Sequence, residues 1–175
     1  MNKKIILWSL SLFLVALSGF IYFNISSNYN AGQKTCPFCN PDVINLQKFY
    51  EDDYIYGMCS YRAVKPWHCL IITKRHIKNF MEISDQELLA AGKLLKKVNL
   101  AVQKILGPTS YIILEKSGQG LQSVPHLHFH YIATKETSSI FSGLSYLWNF
   151  FTYTFKTPMN KQEIIDCANK MKAVI

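Results

Sequence analysis

Between Gln122 and Ile132 the chain reads Gln-Ser-Val-Pro-His-Leu-His-Phe-His-Tyr-Ile, and this run limits the fold more than any other stretch. His126, His128 and His130 alternate with Leu127, Phe129 and Tyr131, the period of two of a half-buried strand. Successive strand side chains point to opposite faces, so the expectation is three imidazoles on one face and an apolar set on the other. Neighbouring imidazoles then stand roughly 6–7 Å apart, close enough for three to address one ligand, or a metal and a ligand. Three of the five histidines fall in this run, which sets aside a polar face with incidental histidines.

The elements around it predict a sheet with helices. Phe49-Tyr50-Glu51, a turn at Asp52-Asp53 and Tyr54 to Ala63 read as a hairpin, and Trp67 to Thr73 as a buried strand. Ser84-Asp85-Gln86-Glu87 is a capping box that opens a helix to Leu106, stopped by Gly107-Pro108. Leu88, Leu95, Val98, Val102 and Ile105 give that helix one apolar face. Ser110 to Lys116 reads as a further strand, leading into Ser117-Gly118-Gln119-Gly120, a turn whose backbone N–H groups suit a phosphate as readily as a plain loop. Asn160 to Glu163 caps a last helix with Ile164, Ile165, Ala168 and Met171 on one side. The aromatic segment from Ile140 to Phe155 fits a dimer interface, a membrane interface or an ordinary core.

The N-terminus is a separate piece. Ile5 to Phe23 holds no charged residue and is about the ~20 residues a spanning helix needs. The apolar run continues past the small residues near Ala16 and Gly19, which favours a retained anchor over a cleaved signal sequence. Lys3 and Lys4 before it put the N-terminus in the cytoplasm and the rest of the chain outside. The expected organisation is an anchor at 1–23, a linker at 24–35 and a domain at 36–175. Asn24-Ile25-Ser26 in that linker fits a glycosylation acceptor only in a host that glycosylates. The net charge of +8 favours anionic partners such as nucleotide phosphates or anionic lipid. No dense Lys/Arg block or base-reading motif points to nucleic acid.

Cys36-Pro37-Phe38-Cys39 opens the domain. Two thiolates at this spacing can hold half of a tetrahedral zinc site. A disulfide and a redox-active pair compete with that reading. Pro41, two residues past Cys39, argues against a helix continuing from the motif. Cys59, Cys69 and Cys167 lie in apolar surroundings and read as small core residues.

The run from His126 to Ile132 resembles the signature of the histidine triad (HIT) family of nucleotide hydrolases and transferases, His-x-His-x-His followed by two apolar residues. Gln122-Ser123-Val124 resembles the family's approach to the triad, and the likeness runs from about Cys36 to the last helix. It implies an α+β fold: a five-stranded antiparallel sheet with one long packed helix and a C-terminal helix, often paired as a homodimer. Here a single transmembrane helix would precede it. It also implies a nucleotide or nucleotide-conjugate substrate, with His128 attacking the α-phosphorus to form a nucleotidyl-histidine intermediate. His130 would donate to phosphoryl oxygens or to the leaving group, and His126 would orient the site. Gln122 and Ser123 would bind the substrate's phosphate, with His68 in a supporting role. In zinc-containing members the matching ligands are Cys36, Cys39, His76 and His126, a structural zinc. Trp67, Leu121 and Glu115 depart from the pattern, at positions where the family has two glycines and an asparagine.

Two other classes remain open from the residues: a non-catalytic nucleotide- or lipid-binding module, and an extracytoplasmic thiol–disulfide protein built on Cys36 and Cys39.

Overall fold

Strand pairing starts at the hairpin that Asp52 closes. Its Oδ1 accepts the N–H groups of Tyr54 and Ile55, and its own N–H donates to the Ile55 carbonyl. The flanking strands β1 (Lys48–Glu51) and β2 (Ile55–Cys59) pair antiparallel, β2 being shorter than its apolar sequence suggests. The computed structural model describes residues 36–118, 120–136, 144, 148 and 157–175. The expected anchor at 1–23 and linker at 24–35 lie outside the described residues, as does the aromatic segment 140–155 apart from Leu144 and Trp148. Among the described residues no helix is long and apolar enough to cross a membrane.

With β3 (Cys69–Thr73), β4 (Thr109–Glu115) and β5 (His128–Lys135), the hairpin forms a five-stranded sheet in the order β1-β2-β3-β5-β4. Every neighbouring pair is antiparallel, as the triad resemblance implies. β5 therefore runs inside the sheet, held between β3 and β4. All five residues of β3 are buried, which is why its sequence is a continuous apolar run.

Helix α2 (Asp85–Leu106) fills the connection from β3 to β4. Ser84 accepts the Glu87 N–H while the Glu87 side chain takes the Ser84 N–H, so both ends of the capping box are made. Gly107, at φ 81°, ends the helix in a conformation that glycine adopts without a Cβ penalty. The expected face holds at Val98 and Val102, which are fully buried, and at Leu95 and Ile105, which pack against the core, but not at Leu88. Ala90, Ala91, Leu94, Val98, Ala101 and Val102 meet the sheet, while Leu88 is 43% exposed. Three of these inner-face residues are alanines, whose small side chains leave the other positions of the face to Leu94, Val98 and Val102.

Helix α3 (Lys161–Val174) is capped by Asn160 and Glu163 and buries Ile164, Ala168 and Met171. Ala168 and Met171 join α2 and one face of the sheet in a single core with Ile55, Ile71, Phe129 and Tyr131. A fully buried Ile or Met among them contributes about 1.5–3 kcal/mol. Cys59 and Cys167, expected as plain core residues, are joined by a disulfide that ties the end of β2 to α3. Spacing alone does not encode a pairing between cysteines 108 residues apart. Cys69 is a buried free thiol, as expected.

At the domain's start, Pro37–Cys39 forms one 3-10 turn and a separate helix, α1 (Pro41–Gln47), follows. Pro41 stops the turn from continuing, yet at the first helical position its missing N–H costs nothing, and Asn40 caps the new helix.

Candidate active site

The sheet face away from α2 carries the histidines. Ile72 lies opposite His128 and Leu70 opposite His130 in the β3–β5 ladder. Leu70 and Ile72 form a small apolar cluster with Phe38, Met58 and Val124. The Phe38 ring stands edge-on to His128, centroid to centroid 5.0 Å. The triad does not lie wholly on one strand, contrary to the expected period of two. β5 begins at His128, and His126 precedes it in a tight turn where its N–H donates to the Val124 carbonyl. Pro125 has no N–H for a ladder, so the strand cannot extend back through it.

Hydrogen-bond partners assign the ring protons. His126 Nε2 lies 2.7 Å from the Thr73 carbonyl, an acceptor, so Nε2 carries the proton and Nδ1 the lone pair. His128 Nδ1 lies 2.6 Å from the His126 carbonyl, so its proton sits there and Nε2 holds the free lone pair. The Val64 N–H donates to His68 Nδ1 at 3.2 Å, which puts the His68 proton on Nε2, 2.9 Å from His130 Nδ1. The Arg62 carbonyl favours the protonated ring, the smallest of the influences on it, and the neutral tautomer follows the Val64 bond. His130 therefore holds its proton on Nε2, a buried atom with no hydrogen-bond partner. Burial, more than any neighbouring charge, keeps these rings neutral: it lowers His68 to about 3, His128 to about 4 and His130 to about 2. The result is one lone pair and one unpartnered N–H donor side by side, His128 and His130 being 4.8 Å apart between ring centroids.

Cys36, Cys39, His76 and His126 come together on the other side of His126, their donor atoms all within 4.8 Å of one another. His126 Nδ1 is 3.4 Å from Cys36 Sγ and 3.5 Å from Cys39 Sγ, and His76 Nδ1 is 3.1 Å from Cys39 Sγ. Zinc–sulfur and zinc–nitrogen bonds at a tetrahedral angle place S and N about 3.6 Å apart, so this donor set fits a tetrahedral cation. Burial pushes the Cys36 thiol up to about 11, so a divalent cation here would bind with release of a proton. The cluster is able to hold a metal, and its four protein donors leave no open position.

A family model described as the HIT domain matches residues 42–137, more than half of the chain. The chain belongs to the HIT domain family. An uncharacterized HIT-like protein of Methanocaldococcus jannaschii is 33% identical over 106 residues, 58% of this HIT chain and 80% of that one. The adenosine 5'-monophosphoramidase of Saccharomyces cerevisiae is 29% identical over 59% of this chain and 65% of its own. The asymmetrical bis(5'-nucleosyl)-tetraphosphatase of Schizosaccharomyces pombe is 24% identical over 59% and 57%. Two solved structures share the fold. A hypothetical histidine triad nucleotide-binding protein of Sulfolobus tokodaii superposes with a TM-score of 0.60 at 22% identity, covering 79% of this chain and 91% of that one. A zinc-bound histidine triad family protein of Mycobacterium smegmatis does so with a TM-score of 0.54 at 14% identity, covering 86% and 90%.

Within this HIT domain the remaining expected residues are placed as follows. His68 touches His130 directly. Gln122 Nε2 donates to the Lys78 carbonyl at 3.0 Å and to the His126 carbonyl at 3.4 Å, bracing the loop before the triad. Ser123 is exposed beside it. The N–H groups of Leu121 and Gln122 both donate to the Gly118 carbonyl, so that turn's amides are committed internally. Glu115 lies opposite Phe129, on the face that α2 covers, and accepts from Ser117 Oγ at 2.7 Å. Trp67, where the HIT pattern has glycine, adopts φ 65°, and a Trp there bears a backbone strain that glycine would not. Sequence reasoning passed over Lys116. The alternation along β4 was its only signal: two residues past Leu114, it falls on the triad face.

Proposed function

We propose that this HIT protein is a nucleotide hydrolase or nucleotidyl transferase that acts at an α-phosphate through a nucleotidyl-histidine intermediate on His128. The observation that carries the reading is the pairing of the free His128 Nε2 lone pair with the unpartnered Nε2–H of His130. The lone pair of Nε2 forms a bond to phosphorus, and the bond from phosphorus to the leaving atom breaks, its electron pair departing with that atom. His128 becomes positively charged while its Nδ1–H stays on the His126 carbonyl, whose dipole stabilises that charge. The His130 N–H donates to an oxygen of the reacting group, held in place by His68 behind it. Water then forms a bond to phosphorus, the N–P bond breaks back onto Nε2, and a proton passes to solvent. Relatives that the chain resembles are an adenosine 5'-monophosphoramidase and a dinucleoside tetraphosphatase, which supports nucleotide conjugates as the substrate class.

Cys36, Cys39, His76 and His126 are read as a structural zinc site, in which the metal would fix the N-terminal turn to the loops before α2 and β5. Residues 1–23 are read as a membrane anchor with the domain outside the cytoplasm, and the Cys59–Cys167 disulfide suits an oxidising compartment. β4 is an outer strand with Tyr111, Ile112 and Ile113 each nearly half exposed, and on it a homodimer would form. The full chain should then require detergent and sediment as a dimer within it. Recovery in a soluble fraction would remove the anchor, and a monomer would remove the pairing.

The deciding experiment offers the full chain a nucleoside phosphoramidate and a dinucleoside polyphosphate and follows nucleoside monophosphate release. His128→Ala should reduce release by about 10⁴-fold or more. Nucleotide binding without release by the unmodified chain would leave a binding module in its place.

A further inference from the structure

The β4–β5 ladder sets Leu114 opposite His130 and Glu115 opposite Phe129. Residues directly opposite in an antiparallel pair project from the same face, with Cβ atoms about 4.5–5.5 Å apart. Leu114 thus shares the triad face, and Glu115 the face under α2. The ladder ends there, and the same register carried one residue further sets Lys116 level with His128 and on His128's side. The side chain is half-buried there. Among the described residues the ion pairs employ Lys48, Lys74 and Arg75, and Lys116 has neither a carboxylate nor a hydrogen-bond partner.

Its charge is felt across the site. After burial and a backbone hydrogen bond, Lys116 is the foremost neighbouring charge depressing His128; for His130 it follows His128 and His68. That action on His128 agrees with the register. Burial also lowers the pKa of Lys116 itself. A half-buried ammonium without a counter-charge is costly, and the imidazoles on which its charge acts, His68, His128 and His130, are neutral. Among the described residues nothing balances it, and the anion of a ligand would supply the missing counter-charge.

We propose that Lys116 is the phosphate-binding cation of this site, meeting a non-bridging oxygen of the phosphoryl group that His128 attacks. The inference rests on the nucleotide reading above and deepens it. The neutral imidazoles supply a nucleophile and one hydrogen-bond donor, but no positive charge. A phosphoryl group passing to His128 carries its charge on the equatorial oxygens, and a cation level with His128 stabilises them as the leaving bond stretches. Because every substrate of this class presents an α-phosphoryl group, Lys116 serves phosphoramidates and polyphosphates alike.

The test uses the full chain with Lys116→Met, which keeps the aliphatic stem, and Lys116→Arg, which keeps the charge. Adenosine monophosphate serves as the binding probe, and both conjugates serve as substrates. Lys116→Met should weaken nucleotide binding about tenfold and lower kcat/KM on both substrates about 100-fold. Lys116→Arg should recover most of each. Binding by the unmodified chain should weaken as salt rises, and in Lys116→Met that dependence should flatten. Equal losses in both variants with an unaltered salt dependence would reduce Lys116 to a packing residue and overturn the proposal. Unchanged binding and turnover in Lys116→Met would overturn it alone. A wild-type chain that binds no nucleotide would overturn the nucleotide reading itself.

Discussion

His68 is neutral because burial lowers its pKa to about 3, with the charges of His128 and Lys116 adding to the effect. In the unfolded chain the same ring titrates near about 6.5. Between those values the unfolded state binds more protons than the folded one, so stability rises with pH across that window. The contribution is fully present above about 6.5 and is lost as pH falls toward 3. The urea midpoint should therefore drop between pH 7 and pH 5, and His68→Gln should make that drop shallower. Parallel pH curves for the two proteins would assign the acid sensitivity to other groups. At this scale the imidazoles were legible in the sequence, since alternation marks His128 and His130 directly. Their proton positions were not, because the Thr73 and His126 carbonyls and the Val64 N–H set them, and backbone groups leave no trace in composition.

Among the described glycines the closest approach between elements is at Gly57 in β2, where the sheet passes beneath α2. A Cβ there would stand 2.7 Å from Phe49 Cε2 and 3.1 Å from Leu94 Cδ2. Phe49 is buried in β1 and Leu94 in the inner face of α2, so neither ring nor side chain has room to withdraw. Gly57→Ala should destabilise the domain by about 1–3 kcal/mol, measured by denaturant unfolding. A variant as stable as the parent would mean that α2 rides further from the sheet. Helix caps were legible because Ser84 with Glu87 and Asn160 with Glu163 are local signals, and both boxes form. The buried face of α2 was legible at Val98 and Val102, but its full width was not, since alanines carry little weight in an apolar pattern, yet Ala90, Ala91 and Ala101 line the contact while Leu88 turns out. The metal-type cluster lies between these cases. Cys36 and Cys39 announce themselves by spacing, whereas His76 and His126 reach them only through the fold.

At the scale of the whole molecule, the covalent constraint among the described residues is the Cys59–Cys167 bridge, spanning a sequence separation of 108. Cross-linking so long a loop restricts the unfolded chain, and its removal should cost about 2–4 kcal/mol. The double variant Cys59→Ser with Cys167→Ser should melt earlier than the parent in the absence of reductant. Equal melting would mean that the packing of α3 through Ala168 and Met171 suffices. Neither cysteine's role was readable from its neighbours, because a bridge is a property of two distant positions. The bridge also divides the chain topologically. His126, His128, His130 and Lys116 lie within the closed ring, while Cys36 and Cys39 lie on the tail before it. To a protease the domain is thus a loop with two short ends. One cut between Cys59 and Cys167 leaves a single covalent molecule that separates into two fragments only when reduced.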